Sequence, residues 1–256
     1  MIIFNADDYG LTDIDVDRIL YSIDRNVIKS TTIVSNYVTE GDLVKLRSAK
    51  NISTGIHLNL VEGLSLLEKK PLNDKRTFIK KIILNKINYT NIEKEMALQI
   101  ENVLDNGVTI SHIDSHQNMH YIPSILKIVS RLSEKYHINK IRGLDSEYFW
   151  FTKYSKGRAL MKNTISKIFN SKYLNNTRHT NIIIMNAPGL GFDCMSIDHA
   201  LRLWDDALRN KYNPNTVYEV PCHLYLSDFE YELYNSREFF QIIRKNKVKI
   251  GCFYDV

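Results

Sequence analysis

Short runs of apolar and β-branched residues recur along this chain, and most are followed by a longer stretch with apolar residues at helical spacing. IIFNA (2–6), STTIVSN (30–36), NISTGIHLNL (51–60), VTISHID (108–114), NIIIMNAPG (181–189) and TVYEVPCH (216–223) read as strands, with shorter candidates in NKIRGL (139–144) and VKIGCFYDV (248–256). Residues 15–26, 41–49, 123–136, 159–169, 197–210 and 237–246 read as helices, the first with Ile19, Leu20 and Ile23 on one face. A further helix is expected to be capped by Thr90 or Asn91, to carry Glu93 and Glu95 in its first turn, and to stop at Gly107. Strands that alternate with helices pair in parallel through right-handed crossovers. About seven or eight strands then fit either a (β/α) barrel, complete or not, or a doubly wound open sheet.

Two stretches interrupt the alternation. Residues 62–90 are irregular and Lys-rich and read as an insertion or lid; residues 146–180 turn from aromatic to basic to Asn-rich. The run EYFWF (147–151) offers rings that could stack on sugars or simply form a core patch. A length of 256 residues suits one domain over 1–256 with excursions near 62–90 and 146–180.

Composition narrows the function classes. Apolar residues make up 44% and charged residues 25%, enough for a folded core. The net charge of +5 is spread among interleaved acids and bases, and the clusters at Lys69 and Lys70, Lys80 and Lys81, and Lys245 and Lys247 read as solvated faces. No nucleic-acid partner is expected. Neither a long apolar span nor a signal peptide is read: two acids interrupt MIIFNADDYG. Cys194, Cys222 and Cys252 are scattered and odd in number, which suits a reducing, cytoplasmic location. Phosphate-binding glycine loops and a GxSxG elbow are absent, and Cys222 and His223 are adjacent in a strand, where side chains diverge.

The polar residues fall where strands end: Asp7 and Asp8, Asn36, His57, Asp114 and His116, Arg142, and His223. In barrels and open α/β sheets, ligands bind at that end. Neighbours in a strand face opposite ways, but at a strand end Asp7 and Asp8 can reach one pocket, one carboxylate on a metal and the other on a water. His112, His116 and His120 are spaced by four in SHIDSHQNMHYIP (111–123). His112 lies within a strand and is expected to be structural; His116 and His120 can share the turn after it, and Asp114 can orient a neighbouring histidine. An Asp/His/His set suits zinc and fits magnesium less well. A metal so held lowers the pKa of bound water to about 7 and polarises a carbonyl, which points to hydrolysis.

NADDYGLT (5–12), STTIVSN, GIHLNL (55–60) and HIDSHQNMHYIP (112–123), with EVPCH (219–223) as a looser match, appear in an order that resembles the YdjC-like carbohydrate deacetylase family, chitooligosaccharide deacetylases among them. The resemblance implies an α/β fold, a distorted or incomplete (β/α) barrel related to polysaccharide deacetylases. It implies a divalent metal ion, zinc or magnesium, on Asp8, His57 and His116, with Asp7 as general base and His223 as general acid. His120, Arg142 and Asn118 would contact substrate, Arg142 also positioning Asp7. The implied reaction removes acetyl groups from N-acetylated sugars or oligosaccharides, metal-activated water attacking the acetamide carbonyl; the family also makes a homodimer an expected assembly. Asn118 stands where relatives often carry a further histidine and Leu224 where they tend to carry proline. These departures leave room for another metal-dependent amidase or esterase, or for a non-catalytic sugar-binding protein.

Overall fold

A computed structural model describes residues 1–143, 146–147, 182–185, 194–225 and 228–256. The expected helix at 159–169, most of the 146–180 excursion and the EYFWF run beyond Glu147 lie outside the described residues. The elements are β1 (Ile2–Tyr9), α1 (Asp13–Asp24), β2 (Ser30–Ile33), α2 (Glu40–Ser48), β3 (Ser53–Leu58), α3 (Lys75–Ile83), α4 (Tyr89–Asp105), β4 (Ile113–Ser115), α5 (Pro123–Lys135), β5 (Ser146–Glu147), β6 (Ile182–Met185), α6 (Ile197–Asn210), β7 (Val217–Cys222), α7 (Asp228–Asn235) and α8 (Arg237–Lys245).

Local chemistry sets several boundaries. Thr12 and Thr39 accept the first free amides of α1 and α2, and Thr39 forms a reciprocal box with Asp42. The cap of α4 is Asn88, not Thr90 or Asn91: its side chain accepts from the Asn91 amide, so the helix starts earlier than expected. Glu95 does not face the helix dipole either. It turns inward to accept from Ser65 Oγ and the amides of Leu66 and Leu67. The 62–90 insertion contains α3, and α7 precedes the expected last helix.

Among the described residues, seven strands form one sheet in the order β4-β3-β2-β1-β7-β6-β5, with every pairing parallel. The expected NKIRGL strand shrinks to a single bridge, Ile113 with Ile141, held by the Ile113 amide on Lys140 O and the Arg142 amide on Ile113 O, both 2.8 Å. That bridge lies outside β4, at one sheet edge, yet Ser146 begins β5 at the other edge. The five residue steps from Ile141 to Ser146 reach at most ~18 Å, whereas the edges of a flat seven-stranded sheet lie ~29 Å apart. The sheet therefore curls, and the fold is an incomplete (β/α) barrel.

The two faces of the curled sheet differ. Outside, Phe4 packs against Trp204, Tyr234 and Phe239 of α6, α7 and α8, with ring centroids 5.8, 5.4 and 5.7 Å away. Inside, a polar chain climbs towards the carboxyl ends: Ser53 Oγ donates to Ser30 Oγ, Ser30 Oγ to Asn5 Oδ1, and Asn5 Nδ2 to Asp7 Oδ1. The expected last strand at 248–256 forms only a bridge, Ile250 with Ile2, before turning under the barrel. Phe253 clusters there with Met1, Ile3 and Ile182, and its amide donates to Ser53 Oγ. Its ring stacks on His112 at 3.6 Å between centroids, so His112 is structural. Gly55 makes room for that stack, since a Cβ there would lie 2.5 Å from the His112 ring.

Candidate metal centre and active site

Strand alternation turns Asn5 and Asp7 inward and Phe4 and Ala6 outward, which would send Asp8 away from the cleft. It does not go there. The β1–β2 register slips between Ala6 and Tyr9, and Asp8 adopts a φ of +69°. This left-handed conformation costs on the order of 1–3 kcal/mol for a non-glycine residue, though aspartate tolerates it better than most. The slip brings two consecutive, buried carboxylates into one cleft.

Asp8 Oδ1 lies 2.8 Å from His116 Nδ1 and 3.3 Å from His57 Nε2. Burial opposes its ionisation, but hydrogen bonds from both histidines pull the carboxyl well below the usual range. The other nitrogen of each ring meets a second carboxylate: His57 Nδ1 is 2.6 Å from Asp114 Oδ1, and His116 Nε2 is 2.9 Å from Glu62 Oε2. Burial disfavours charge on His57, yet Asp114 and Asp8 raise its pKa to about 10. The field that holds a proton there equally favours a metal cation. Asp8, His57 and His116 offer one oxygen and two nitrogens within 4.8 Å of one another, a donor set that fits a divalent metal ion. A second close trio, Asp7, His57 and Asp114, is already served by a cation, because Arg142 reaches both of its carboxylates.

Arg142 is a buried hub. Its terminal nitrogens meet Asp7 Oδ2 at 2.8 Å and Asp7 Oδ1 at 2.6 Å, and Nε donates to Glu219 Oε1 at 2.7 Å. Burial pushes the Asp7 carboxyl up, but the guanidinium overrides it and holds it at about 2. Glu219 goes the other way: burial lifts it to about 7 despite Arg142. His223 stands at the cleft wall, half-exposed, with Nε2 3.8 Å from Asp7 Oδ2 and its backbone amide on Glu230 Oε2 at 2.7 Å. The cleft holds about 840 Å³, and Tyr37, Tyr121 and Tyr225 line it together with Asn118. Burial, with the Asp8 charge nearby, pushes the Tyr225 phenol up.

Three sequence expectations change. His120 does not face the cleft. It is fully buried, its Nδ1 pairs with Ser115 Oγ at 2.5 Å, and burial lowers its pKa to about 3. The left-handed pair Gln117 and Asn118 after His116 breaks the helical spacing that would have put the two rings together. Arg142 turns its fork onto carboxylates, so it positions Asp7 and leaves little for substrate. Asn36 anchors a loop by donating to the carbonyls of Glu62 and Leu64. Cys222 is buried, burial raises its thiol pKa, and Sγ donates to Val220 O, which leaves no thiolate nucleophile.

The sequence pattern of the family described as YdjC-like protein matches residues 1–243. The chain belongs to the YdjC-like family. Curated relatives of this YdjC-like chain include a carbohydrate deacetylase of Vibrio parahaemolyticus, 34% identical over 142 residues, with 54% of this chain and 57% of that protein covered. A carbohydrate deacetylase of Listeria monocytogenes is 33% identical over 156 residues, covering 58% and 63%. The chain thus spans less than two thirds of the length of these relatives. Among solved structures, a proposed cellobiose-phosphate cleavage protein of Enterococcus faecalis superposes with a TM-score of 0.74 at 19% identity, covering 99% of this chain and 97% of the other. A CE4 esterase of Streptococcus mutans gives 0.52 at 12% identity, covering 98% and 85%. Both likenesses are of fold, the incomplete barrel described above.

Sequence reasoning missed two acids in this YdjC-like site, Glu62 and Glu219. Glu62 lies in a Lys-rich loop, where an acid reads as solvated. Glu219 had a usable signal, a charged residue inside a run of strand-forming residues, since an acid is almost never buried without a partner.

Proposed function

We propose that this YdjC-like protein is a metal-dependent hydrolase that removes acetyl groups from N-acetylated sugars or oligosaccharides, cleaving a linear amide. The observation that carries the reading is the meeting of Asp8, His57 and His116 beside Asp7 and His223 in one cleft. The name carried by the curated relatives supplies the substrate class. Asp8, His57 and His116 would hold the divalent ion, and their two nitrogens favour zinc over magnesium. When bound, such an ion lowers the pKa of water and polarises a carbonyl.

The chain's own groups supply the rest. Arg142 keeps Asp7 ionised and fixes both of its oxygens, so Asp7 stands as the acceptor for the proton of the attacking water. His223 gives a proton to the leaving amine. Its 3.8 Å approach to Asp7 provides a short route for returning the proton that Asp7 has taken up. The tyrosines lining the cleft offer faces for sugar rings, and Asn118 offers an amide at the rim. Products are acetate and a free amino sugar.

The same reading takes residues 1–256 as one domain, a cytoplasmic location in keeping with three scattered, buried cysteines, and a homodimer on family grounds. No helix among the described residues is long and apolar enough to cross a membrane. The test is acetate release from N-acetylated chitooligosaccharides by metal-stripped protein, before and after zinc, cobalt or magnesium is restored. Metal-dependent release supports the reading. Sugar binding without release would instead favour a non-catalytic binding protein, and release only from other amides or esters would move the substrate class.

A further inference from the structure

We propose that Glu62 is a positioning residue for the metal, the outer carboxylate that orients His116, so that the loop after β3 sets how tightly the cation is held. This inference rests on the metal reading above.

The two histidines are built alike. Each points one nitrogen at Asp8 and the other at a carboxylate, Asp114 for His57 and Glu62 for His116. A carboxylate on the far nitrogen of a ligating histidine fixes its tautomer and ring angle and raises its basicity. Glu62 holds this place although it comes from an insertion outside the strands.

The loop is tied down for the purpose. Asn59, fully buried, accepts from the amides of Val61 and Glu62 through Oδ1, and its Nδ2 donates to Glu62 O at 2.8 Å. Asn59 is in turn bracketed by Gln99 of α4, which accepts from its amide and donates to its carbonyl, at 2.8 and 2.7 Å. Gln99 also donates to Glu95, the buried acid that gathers Ser65 Oγ and the amides of Leu66 and Leu67. The backbone on both sides of Glu62 is thus locked to α4 by buried polar groups. A chance surface ion pair would need no such frame.

The two outer acids differ in one respect. The Asp114 side chain is fully buried, whereas 44% of the Glu62 side chain is exposed. Glu62 is therefore the outer partner that solvent reaches, and its loss should loosen the site without disturbing the core.

The test is zinc affinity, measured by titrating metal-stripped protein against a chromogenic chelator, for the parent, Glu62→Gln, Glu62→Ala and Asp8→Asn. Loss of an outer partner typically weakens affinity about 10–100-fold. Glu62→Ala should fall in that range, and Glu62→Gln, which can still accept from His116, should lie between it and the parent. The ¹⁵N resonances of the His116 ring in the zinc-loaded protein should move in both variants, while thermal unfolding of the metal-free variants stays at the parent value. Asp8→Asn should lose nearly all binding. Parent-like affinity in both Glu62 variants would overturn the inference and leave the metal reading intact. A parent that binds no zinc, cobalt or magnesium would overturn the metal reading, and this inference with it.

Discussion

Arg142 holds Asp7 by a two-pronged contact, at 2.8 and 2.6 Å, while the same guanidinium reaches Asp114 at 2.8 Å and Glu219 at 2.6 Å. One buried cation joins acids from β1, β4 and β7 across the barrel interior. Removing it strands them. Arg142→Met should cost about 3–5 kcal/mol, the usual result of leaving buried charge uncompensated. Arg142→Lys should recover part of this, since it restores charge without the fork. Urea unfolding decides; a loss under about 1 kcal/mol for the methionine variant would contradict the assigned role.

Asp7→Asn separates chemistry from metal binding, because Asp7 is outside the proposed ligand set. Acetate release should drop about 10²–10⁴-fold, the range for loss of a general base, with zinc stoichiometry and affinity near the parent's. Retained turnover would mean that another group, Glu230 or His223, accepts the proton.

Asp15, which is outside the proposed ligand set although the Asp8 charge reaches it, gives a pH signature of its own. Fully buried in α1, it accepts from Thr12 Oγ, while its Oδ1 has no hydrogen-bond partner among the described residues. Burial lifts its pKa to about 6, above the 3.8 of an ordinary aspartate. An acid raised on folding contributes stability at low pH, and loses that contribution as pH climbs through the folded value. Between about pH 4 and pH 8, Asp15→Asn should therefore gain on the parent by about 2–3 kcal/mol, whatever their offset at pH 4. Paired denaturation curves at those two pH values test this, and parallel behaviour would refute it.

Gly55→Ala probes the barrel floor. The added methyl would meet the His112 ring at 2.5 Å and force it off Phe253. Overpacking of this kind costs about 1–3 kcal/mol. The thermal midpoint should fall, while zinc affinity changes little. An unchanged midpoint would mean that the floor yields more readily than its packing suggests.

Much of this architecture could be read from periodicity. The β-branched runs and the helix at 197–210 obey local rules that the rest of the molecule does not override. The residues at strand ends could also be named in advance, because parallel α/β folds gather chemistry there. What resisted reading depends on backbone departures and long-range contacts. Nothing local announces that Asp8 will take a left-handed turn into the cleft, or that Gln117 and Asn118 will carry His120 away from His116. Residues 248–256 have strand composition, but β1 already has partners on both sides, β2 and β7, so the segment adds one bridge and becomes a plug instead. Glu62 acquires meaning only from Asn59 and Gln99, residues that composition treats as ordinary polar surface.

The pairing of β1 with β7 bears on how the protein is made. Ile2 lies opposite Tyr218, so one flank of the central strand has no β7 to bond until more than two hundred further residues have been synthesised. During that interval β1 and β2 present an unpaired, apolar strand edge, the kind of surface that recruits other chains. Closing so long a loop is slow. Yield of this protein in a cell should thus depend on chaperone capacity and on expression temperature more than on the final stability of the barrel.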